Sequence, residues 1–239
     1  MNNPGVPQRI AKIMARLGIC SRRQAEALIL EGKVSVNGKV ITSPALNVSD
    51  QDQITYQGKT YGGAQGAQKE KTRLWLYHKP KGLMCTYKDP ENRPTVFQDI
   101  QTRYPKLPYL ISVGRLDFNS EGLLLLTNDG ELARQMCLPT NKLVREYRVR
   151  VRGHPTVDDF RRLAQGVSVD GVNYGPIVAE LESFQSSNSW VLLKLTEGKN
   201  REIRKVMEYL GYTVSRLIRI SFGEYRLGEI KPHEVKEVE

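Results

Sequence analysis

Cysteine, histidine and long apolar runs are all scarce in this 239-residue chain, and each shortage excludes a class of protein. The three cysteines (Cys20, Cys85 and Cys137) lie far apart, so we expect neither a disulfide framework nor a zinc site. Apolar runs such as Leu123–Leu126 have only four residues, whereas a membrane helix needs about 18. Residues 1–7 contain no apolar stretch of signal-peptide length. We therefore expect a cytoplasmic protein with reduced thiols, no membrane association and no bound metal.

Acidic residues are also in the minority. The chain has 26 Asp and Glu residues against 36 Lys and Arg residues, which gives a net charge of +10. Such a balance favours a polyanionic partner, and nucleic acid is the usual one because Lys and Arg displace its condensed counterions. A mildly basic protein with no such partner is the alternative. The excess is greatest in residues 1–73, where eleven basic groups face five acidic ones.

The length of the chain fits one large domain or two unequal ones. A stretch rich in Gly, Gln and Lys between residues 58 and 71 predicts a flexible linker. We accordingly assign a first domain to residues 8–58, a linker to 59–73 and a second domain to 74–231. Helical and strand patterns alternate without a regular βαβ order, which favours an α+β fold with mostly antiparallel pairing.

The first domain shows two short helices followed by a hairpin. Apolar residues at helical spacing predict a helix over residues 9–17. Ser21 and Gln24 form a capping box that starts the second helix. The pair Asn37-Gly38 lies between two alternating stretches and predicts a tight hairpin. A further strand is expected at residues 53–56.

Basic residues cluster on these two helices: Arg9, Lys12, Arg16, Arg22 and Arg23. Guanidinium groups suit phosphate oxygens, although a solvated basic face is the simpler interpretation. The segments RIAK (9–12), SRRQA (21–25) and VNG (36–38) resemble a small RNA-binding domain of the S-four type, first recognised in a ribosomal protein. The resemblance implies that these five residues bind RNA.

The second domain is expected to hold strands, short helices and one Pro-rich loop. The patterns predict strands at 74–77, 123–126, 146–152, 166–170, 190–195 and 214–220, an extended stretch at 83–87, and a loop around Pro105 and Pro108. Helices are expected after Gly130, after Thr156 and after a cap at Asn200.

Residues 114–130, GRLDFNSEGLLLLTNDG, carry one carboxylate between an arginine and a buried strand. A single Asp in such a position is usually a turn residue. The segment, however, resembles the catalytic motif of pseudouridine synthases that act on ribosomal RNA. That resemblance implies that Asp117 is the catalytic carboxylate. It also implies that Arg115 contacts the flipped nucleotide or fills the space it vacates.

Two further segments agree with this resemblance. Residues 142–149, KLVREYRV, resemble the family's strand with an active-site tyrosine, which gives that role to Tyr147. Residues 197–205, EGKNREIRK, resemble its third motif. By that resemblance Arg204 pairs with the catalytic carboxylate, and Ile203 makes an apolar contact beneath the site. A core tyrosine and a solvent-facing arginine are the alternatives from the residues alone.

The implied reaction breaks the bond from uracil nitrogen to ribose and remakes it from a ring carbon. It needs no redox step, so we expect no cofactor. Asp117 would act as a nucleophile or as a base toward the sugar, whereas a glycosidase normally presents two carboxylates. The third motif is closer to the large-subunit type B enzymes, so 23S rRNA is the expected substrate. A monomer is assumed by default. A 16S enzyme and a non-catalytic ribosome-assembly factor that binds RNA are the alternatives.

Overall fold

Two short helices and a small sheet enclose the core of the N-terminal part in the computed structural model, which describes residues 6–49, 51–63 and 71–238. The elements are β1 (Gln8–Arg9), α1 (Ile10–Arg16), α2 (Arg22–Leu30), β2 (Val34–Val36), β3 (Lys39–Ile41), β4 (Asn47–Val48), β5 (Gln53–Tyr56) and β6 (Lys59–Gly62). The strand order β3-β2-β5-β6 forms one antiparallel sheet, and β1 pairs with β4.

Local sequence signals account for this arrangement. The Ser21 hydroxyl accepts a hydrogen bond from the Gln24 amide at 3.2 Å, and the Gln24 side chain accepts one from the Ser21 amide at 3.1 Å. This confirms the predicted capping box. Asn37 and Gly38 both have positive φ angles, of 49° and 79°, as a tight hairpin turn requires. The predicted helices, hairpin and β5 are therefore confirmed.

The linker predicted for residues 59–73 is wrong at its start, because residues 59–62 form β6 and pair with β5. Gln57 and Gly58 have φ angles of 49° and 73°, so they make the turn between the two strands. Thr60 and Tyr61 then favour extended structure. Residues 64–70 of the predicted linker lie outside the described residues.

A large mixed sheet organises the second part of the chain. Its elements are β7 (Leu74–Lys79), α3 (Val96–Arg103), β8 (Ile111–Ser112), β9 (Glu121–Thr127), α4 (Gly130–Cys137), β10 (Arg145–Arg152), α5 (Val157–Gln165), β11 (Val167–Val169), β12 (Val172–Tyr174), β13 (Val178–Gln185), β14 (Asn188–Leu195), α6 (Glu202–Tyr209), β15 (Val214–Phe222), β16 (Tyr225–Arg226) and β17 (Val235–Glu237). The strand order is β13-β14-β10-β15-β9-β7-β17, and among these neighbouring pairs of described strands only β15–β9 is parallel. The mostly antiparallel α+β arrangement is as predicted.

By their internal contacts the residues fall into two units. One contains residues up to Arg73 together with 107–111 and 128–130, and the other contains 74–106, 112–127 and 131–239. Among the described residues the longest helices, α2 and α5, have nine residues, and none has the length and apolarity of a membrane-spanning helix.

Strand β9 lies inside the large sheet, between β15 and β7, and all of its residues are buried. Gly122 has a φ angle of +102°, and a Cβ placed there would lie 2.2 Å from the carbonyl oxygen of Arg219. Only glycine therefore lets β9 and β15 approach this closely. The close pairing fixes the backbone immediately after the segment that holds Asp117.

Two predictions for the second domain need correction, and one helix in it was not predicted. Residues 83–87 were expected to be extended, but only Met84 makes a bridge, to Thr95. The predicted Pro-rich loop is preceded by α3, which Thr95 and Gln98 start through a capping box. The predicted boundary at residue 231 is too early, because β17 pairs with β7 and extends the sheet to Glu237.

The predicted cap of α6 is also wrong. The helix begins at Glu202, and Arg201 is its N-cap residue, with a φ angle of 52°. The Lys199 amide donates a hydrogen bond of 2.8 Å to the Glu202 carboxylate, which closes the turn instead of an Asn200 side chain.

Candidate active site

A cavity of about 530 Å³ opens among the loop before β9, strands β10 and β15, and the turn that leads into α6. Its volume is in the range of small-ligand sites. Four of the five catalytic and substrate residues predicted from the sequence line it: Arg115, Asp117, Tyr147 and Ile203. The fifth, Arg204, does not line it.

Asp117 lies half-buried at the start of the turn 117–120, and Arg115 is exposed two residues before it. The Ser120 amide donates to the Asp117 carbonyl at 3.0 Å, which closes the turn. Within the described residues, no donor contacts the Asp117 carboxylate. Both carboxylate oxygens are therefore open to a substrate in the cavity.

The side chain of Lys79, at the end of β7, donates hydrogen bonds to the turn 117–120. Its side chain is fully buried, and its ammonium donates to the carbonyl oxygens of Ser120 at 2.8 Å, Asp117 at 3.1 Å and Phe118 at 3.4 Å. It also donates to Pro80 at 3.0 Å. Burial lowers the pKa of Lys79 to about 8, although Cys85, Asp117 and Glu121 oppose this shift. In the sequence, Lys79 is recognisable only as a lysine at the end of an apolar strand. That signal did not identify its contacts with the turn 117–120.

Every carbonyl of the turn 117–120 has a donor. Besides the contacts of Lys79, the Gly82 amide donates to Phe118 at 2.8 Å, and the Arg204 guanidinium donates to Asn119 at 2.9 Å. A turn whose carbonyls are all engaged has little freedom to move, so the carboxylate it carries is held in place before a substrate arrives.

The direct pairing of Arg204 with Asp117 that the sequence predicted is not present among the described residues. The Arg204 guanidinium donates to the carbonyls of Asn119 and Val214 instead, and its buried Nε has no acceptor in the described part of the chain. Burial and then Arg201 lower the pKa of Arg204, whereas the Asp117 charge raises it. Arg204 therefore contacts the backbone of the turn that carries Asp117, and it interacts with the Asp117 carboxylate only through its charge.

Tyr147 and Ile203 supply apolar surface to the cavity. Tyr147 lies on β10 between Leu193 and Arg219 of the neighbouring strands and is 8% exposed. Ile203 lies on the first turn of α6 and is 4% exposed. An aromatic face beside an aliphatic side chain can hold a planar base by stacking and van der Waals contact.

Two buried arginines that the sequence analysis did not identify also line the cavity. The guanidinium of Arg145 lies 4.7 Å from the ring centroid of Phe222, and that of Arg219 lies 5.2 Å from it. Arg145 donates to the carbonyls of Leu143 and Thr196, and Arg219 donates to that of Leu123. They give this wall of the cavity a positive charge, which suits an anionic substrate.

Glu121, the carboxylate nearest to Asp117 in the sequence, does not line the cavity. It forms two hydrogen bonds with the Arg216 guanidinium, of 3.0 and 2.9 Å. Burial alone would raise the pKa of Glu121, but Arg216 and Lys81 lower it overall. Glu121 is thus a structural ion-pair partner and not a second carboxylate at the site.

Glu197 and Glu202 also line the cavity, and their carboxyl groups interact with each other. Burial and the Glu197 carboxyl raise the pKa of Glu202 to about 7. Burial has the same tendency at Glu197, but hydrogen bonds from Lys199 and Gly175 outweigh it and lower that pKa. Two carboxyls in contact share a proton, so Glu202 keeps one well above its ordinary range.

Replacing Glu202 by Gln is therefore expected to change the pH dependence of stability. The unfolded chain loses this proton near pH 4.3, and the folded chain loses it near pH 7. The contribution of Glu202 to the free energy of unfolding therefore falls between these two pH values and is constant above them. At pH 8, Glu202→Gln should unfold at a higher temperature than the wild type, with little change at pH 4.

Thermal unfolding of Glu202→Gln at both pH values checks this prediction. The exposed Glu180→Gln variant is the matched control and should follow the wild type. An equal change of melting temperature at pH 4 and pH 8 would contradict the protonation of Glu202.

The basic residues predicted to bind RNA lie away from the N-terminal core. Arg9, Arg22 and Arg23 are exposed, and Lys12 and Arg16 are partly exposed. The core itself is formed by residues on the other side of α1 and α2, including Ile10, Met14, Ala25 and Ile29. The two helices thus present a basic surface, and its RNA-binding role stays a prediction.

Family models match both parts of the chain. The model described as RNA pseudouridylate synthase matches residues 73–209, and the S4 domain model matches residues 8–54. The chain belongs to the RNA pseudouridylate synthase family. It is therefore an isomerase that acts on RNA, and its N-terminal segment is an S4 domain, as the resemblance implied. The alternative of a non-catalytic assembly factor is not supported.

Named relatives cover almost the whole chain. An uncharacterized RNA pseudouridine synthase of Rickettsia felis is 48% identical over 97% of this chain and 96% of its own length. The ribosomal large subunit pseudouridine synthase B of Pseudomonas aeruginosa is 40% identical over 99% of this chain and 63% of its own. A crystal structure of a pseudouridylate synthase matches 97% of this chain and 96% of its own, with 26% identity and a TM-score of 0.64.

Proposed function

We propose that this pseudouridine synthase converts one uridine of 23S rRNA, the RNA of the large ribosomal subunit, into pseudouridine, with Asp117 as the catalytic carboxylate. The observation that carries the reaction is the Asp117 carboxylate, which has no partner among the described residues and lies in a cavity that Tyr147 and Ile203 also line. The choice of RNA is supported by the large-subunit relative, which is 40% identical over nearly the whole chain.

The target nucleotide has to leave its stack to reach Asp117. In the cavity, Tyr147 and Ile203 would hold the uracil ring, and Arg115 at the rim would contact the flipped nucleotide or fill the space it vacates. Asp117 then acts on the ribose, either as a nucleophile or by taking a proton from the sugar. The bond from N1 to the ribose breaks, the base turns, and C5 bonds to the ribose. The C5 hydrogen leaves as a proton and N1 gains one, so the product is an isomer of uridine.

The positive wall of the cavity fits this reaction. Arg145 and Arg219 have no carboxylate partner among the described residues, whereas the RNA brings phosphates into the site. The S4 domain would anchor the RNA, and the enzyme would act as a monomer in the cytoplasm. The proposed division of labour follows the predicted domains, with the end of the catalytic domain moved to include β17.

The substrate assignment can be tested with the purified protein. Full-length transcripts of both ribosomal RNAs, and the large-subunit RNA in immature particles, are incubated with enzyme and their pseudouridines are mapped at single-nucleotide resolution. One new pseudouridine in large-subunit RNA is expected. A new pseudouridine in small-subunit RNA alone would overturn the choice of RNA.

Neutralising two arginines of the S4 domain should weaken RNA binding. Arg22→Gln/Arg23→Gln removes two exposed charges from α2. Each lost phosphate contact lowers the slope of log K against log salt by about 0.9, and affinity near 150 mM salt should fall about tenfold. Filter binding to large-subunit rRNA over a salt series measures both quantities.

The matched control is Arg103→Gln/Arg161→Gln. It removes two charges that are exposed outside the S4 domain and paired with Asp99 and Asp158. It should leave affinity and slope within twofold of the wild type. An unchanged salt slope in the Arg22→Gln/Arg23→Gln variant would contradict the anchoring role of the S4 domain.

A further inference from the structure

Strand β10 presents arginines on the face of the sheet opposite to the catalytic cavity. Successive side chains of a strand point to opposite faces. Arg145 and Tyr147 line the cavity, and the residues between and after them alternate with buried ones. Arg148, Arg150 and Arg152 therefore lie together on the other face, where they are partly or fully exposed.

The neighbouring strands add to this basic surface. Arg150 pairs across the sheet with Arg216 of β15 on one side and with Trp190 of β14 on the other. Two like charges directly opposite each other in an antiparallel pair destabilise a sheet. Placing Arg150 opposite Arg216 thus disfavours folding. We infer that a function other than stability, such as ligand binding, accounts for the two adjacent arginines.

Only part of this charge is neutralised within the protein. Arg148 pairs with Glu182 at 2.8 Å, and Arg216 pairs with Glu121 at 2.9 Å. In the part of the chain that the structure describes, neither Arg150 nor Arg152 has a carboxylate partner. Two positive charges therefore remain available to a ligand on this surface.

An aromatic ring lies within the same surface. Trp190 is partly exposed, and the guanidinium of Arg148 lies 4.7 Å from its ring centroid. Guanidinium groups bind phosphate oxygens, and flat guanidinium or aromatic surfaces stack on bases. Two arginines without a carboxylate partner among the described residues, Arg150 and Arg152, on the same surface as a tryptophan suit a nucleic acid better than an acidic peptide, which offers no bases to stack.

We propose that this arginine face, formed by Arg148, Arg150, Arg152, Trp190 and Arg216, binds the phosphate backbone of a second segment of ribosomal RNA. The proposal rests on the proposed function. The segment is distinct from the strand that enters the cavity, because the sheet separates the two faces. It comes from a part of the folded rRNA outside the stem–loop that carries the target uridine.

The test compares two RNAs of different size. One is a short stem–loop that contains the mapped target uridine, and the other is the full-length large-subunit transcript. Arg150→Gln/Arg152→Gln is compared with the wild type and with the charge-matched Arg103→Gln/Arg161→Gln control. Affinity is measured by filter binding over a salt series, and kcat/KM by release of tritium from uridine C5.

On the full-length transcript, Arg150→Gln/Arg152→Gln should bind about tenfold more weakly, with a salt slope lower by about 2, because two phosphate contacts are lost. On the short stem–loop, its affinity and kcat/KM should stay within twofold of the wild type. Unchanged affinity for the full-length transcript would overturn the proposal. An equal loss of affinity for both RNAs would also overturn the proposal, because the arginine face would then bind the same RNA strand that enters the cavity.

Tryptophan fluorescence gives a second measurement. The chain has two tryptophans, and Trp75 is buried at 1% exposure, so Trp190 is the one that an RNA can reach. The full-length transcript should quench this fluorescence, and the short stem–loop should not. Filter binding needs no turnover, so failure of the wild type to form pseudouridine would contradict the proposed function separately from this surface.

Discussion

Asp117→Asn should abolish pseudouridine formation, with a fall in kcat of at least about a thousandfold and with RNA affinity unchanged. General acid–base groups contribute roughly 10²–10⁴-fold to a rate, and nucleophilic attack is lost altogether when the carboxylate is replaced by an amide. The side chain is half-buried, has no donor among the described residues and keeps its size in the variant. Stability should therefore be little affected. Tritium release in a single turnover measures the rate of the chemical step.

Glu121→Gln is the control for Asp117→Asn, because Glu121 is the next carboxylate along the chain. Its role is the ion pair with Arg216, so the variant should melt at a lower temperature but keep activity within about tenfold of the wild type. A Glu121→Gln enzyme as inactive as Asp117→Asn would contradict the assignment of a single catalytic carboxylate.

Lys79→Met should lower kcat by about a hundredfold with a much smaller change in KM. Methionine fills the buried space but donates none of the hydrogen bonds that the ammonium gives to Asp117, Phe118 and Ser120. A displacement of about 1 Å in a catalytic group costs on the order of 10²-fold in rate. Lys79 is thus a positioning residue, and single-turnover kinetics separate its effect on the chemical step from substrate binding.

The pH profile separates positioning by Lys79 from a merely structural role. Burial lowers the pKa of Lys79 to about 8, so the wild-type kcat should fall as pH rises through 8 and the neutral amine loses donors. Lys79→Arg keeps the positive charge at all these pH values, so its kcat should not fall as pH rises through 8.

Global stability should change in the opposite direction over the same range. Between about pH 8 and 10.4 the unfolded chain binds a proton that the folded chain does not, so the free energy of unfolding rises with pH. Activity should therefore fall while the melting temperature does not. The positioning role of Lys79 would be contradicted if activity and melting temperature of the wild type fell together. It would also be contradicted if kcat of Lys79→Arg fell above pH 8 as in the wild type.

The sequence predicted the elements whose signals are local. The capping box at Ser21, the hairpin at Asn37-Gly38 and the buried leucines of β9 each depend on residues a few positions apart, and all are confirmed. Helix α3 has the same kind of capping box, at Thr95 and Gln98, but the helix was not predicted. Strand β17 was missed because its stability comes from pairing with β7, far away in the sequence.

For the candidate site, too, the sequence predicted some features and missed others. Motif resemblance identified the residues that line the cavity, among them Asp117, Tyr147 and Ile203. It did not identify Lys79, because a lysine that ends a strand is usually solvated and its partners lie about 40 residues further along the chain. It placed Arg204 beside Asp117 but assigned the contact to the carboxylate, whereas the structure shows a contact with the Asn119 carbonyl. A motif gives the identity of a residue, and the atom it contacts depends on the tertiary structure.

The central claim is that Asp117 of this chain forms one pseudouridine in 23S rRNA. Its most direct test is pseudouridine mapping of ribosomal RNA from cells that lack the protein, complemented with the wild type or with Asp117→Asn. One site should disappear on deletion, return with the wild type and stay absent with Asp117→Asn. Restoration by both proteins, or a pseudouridine map that deletion leaves unchanged, would contradict the claim.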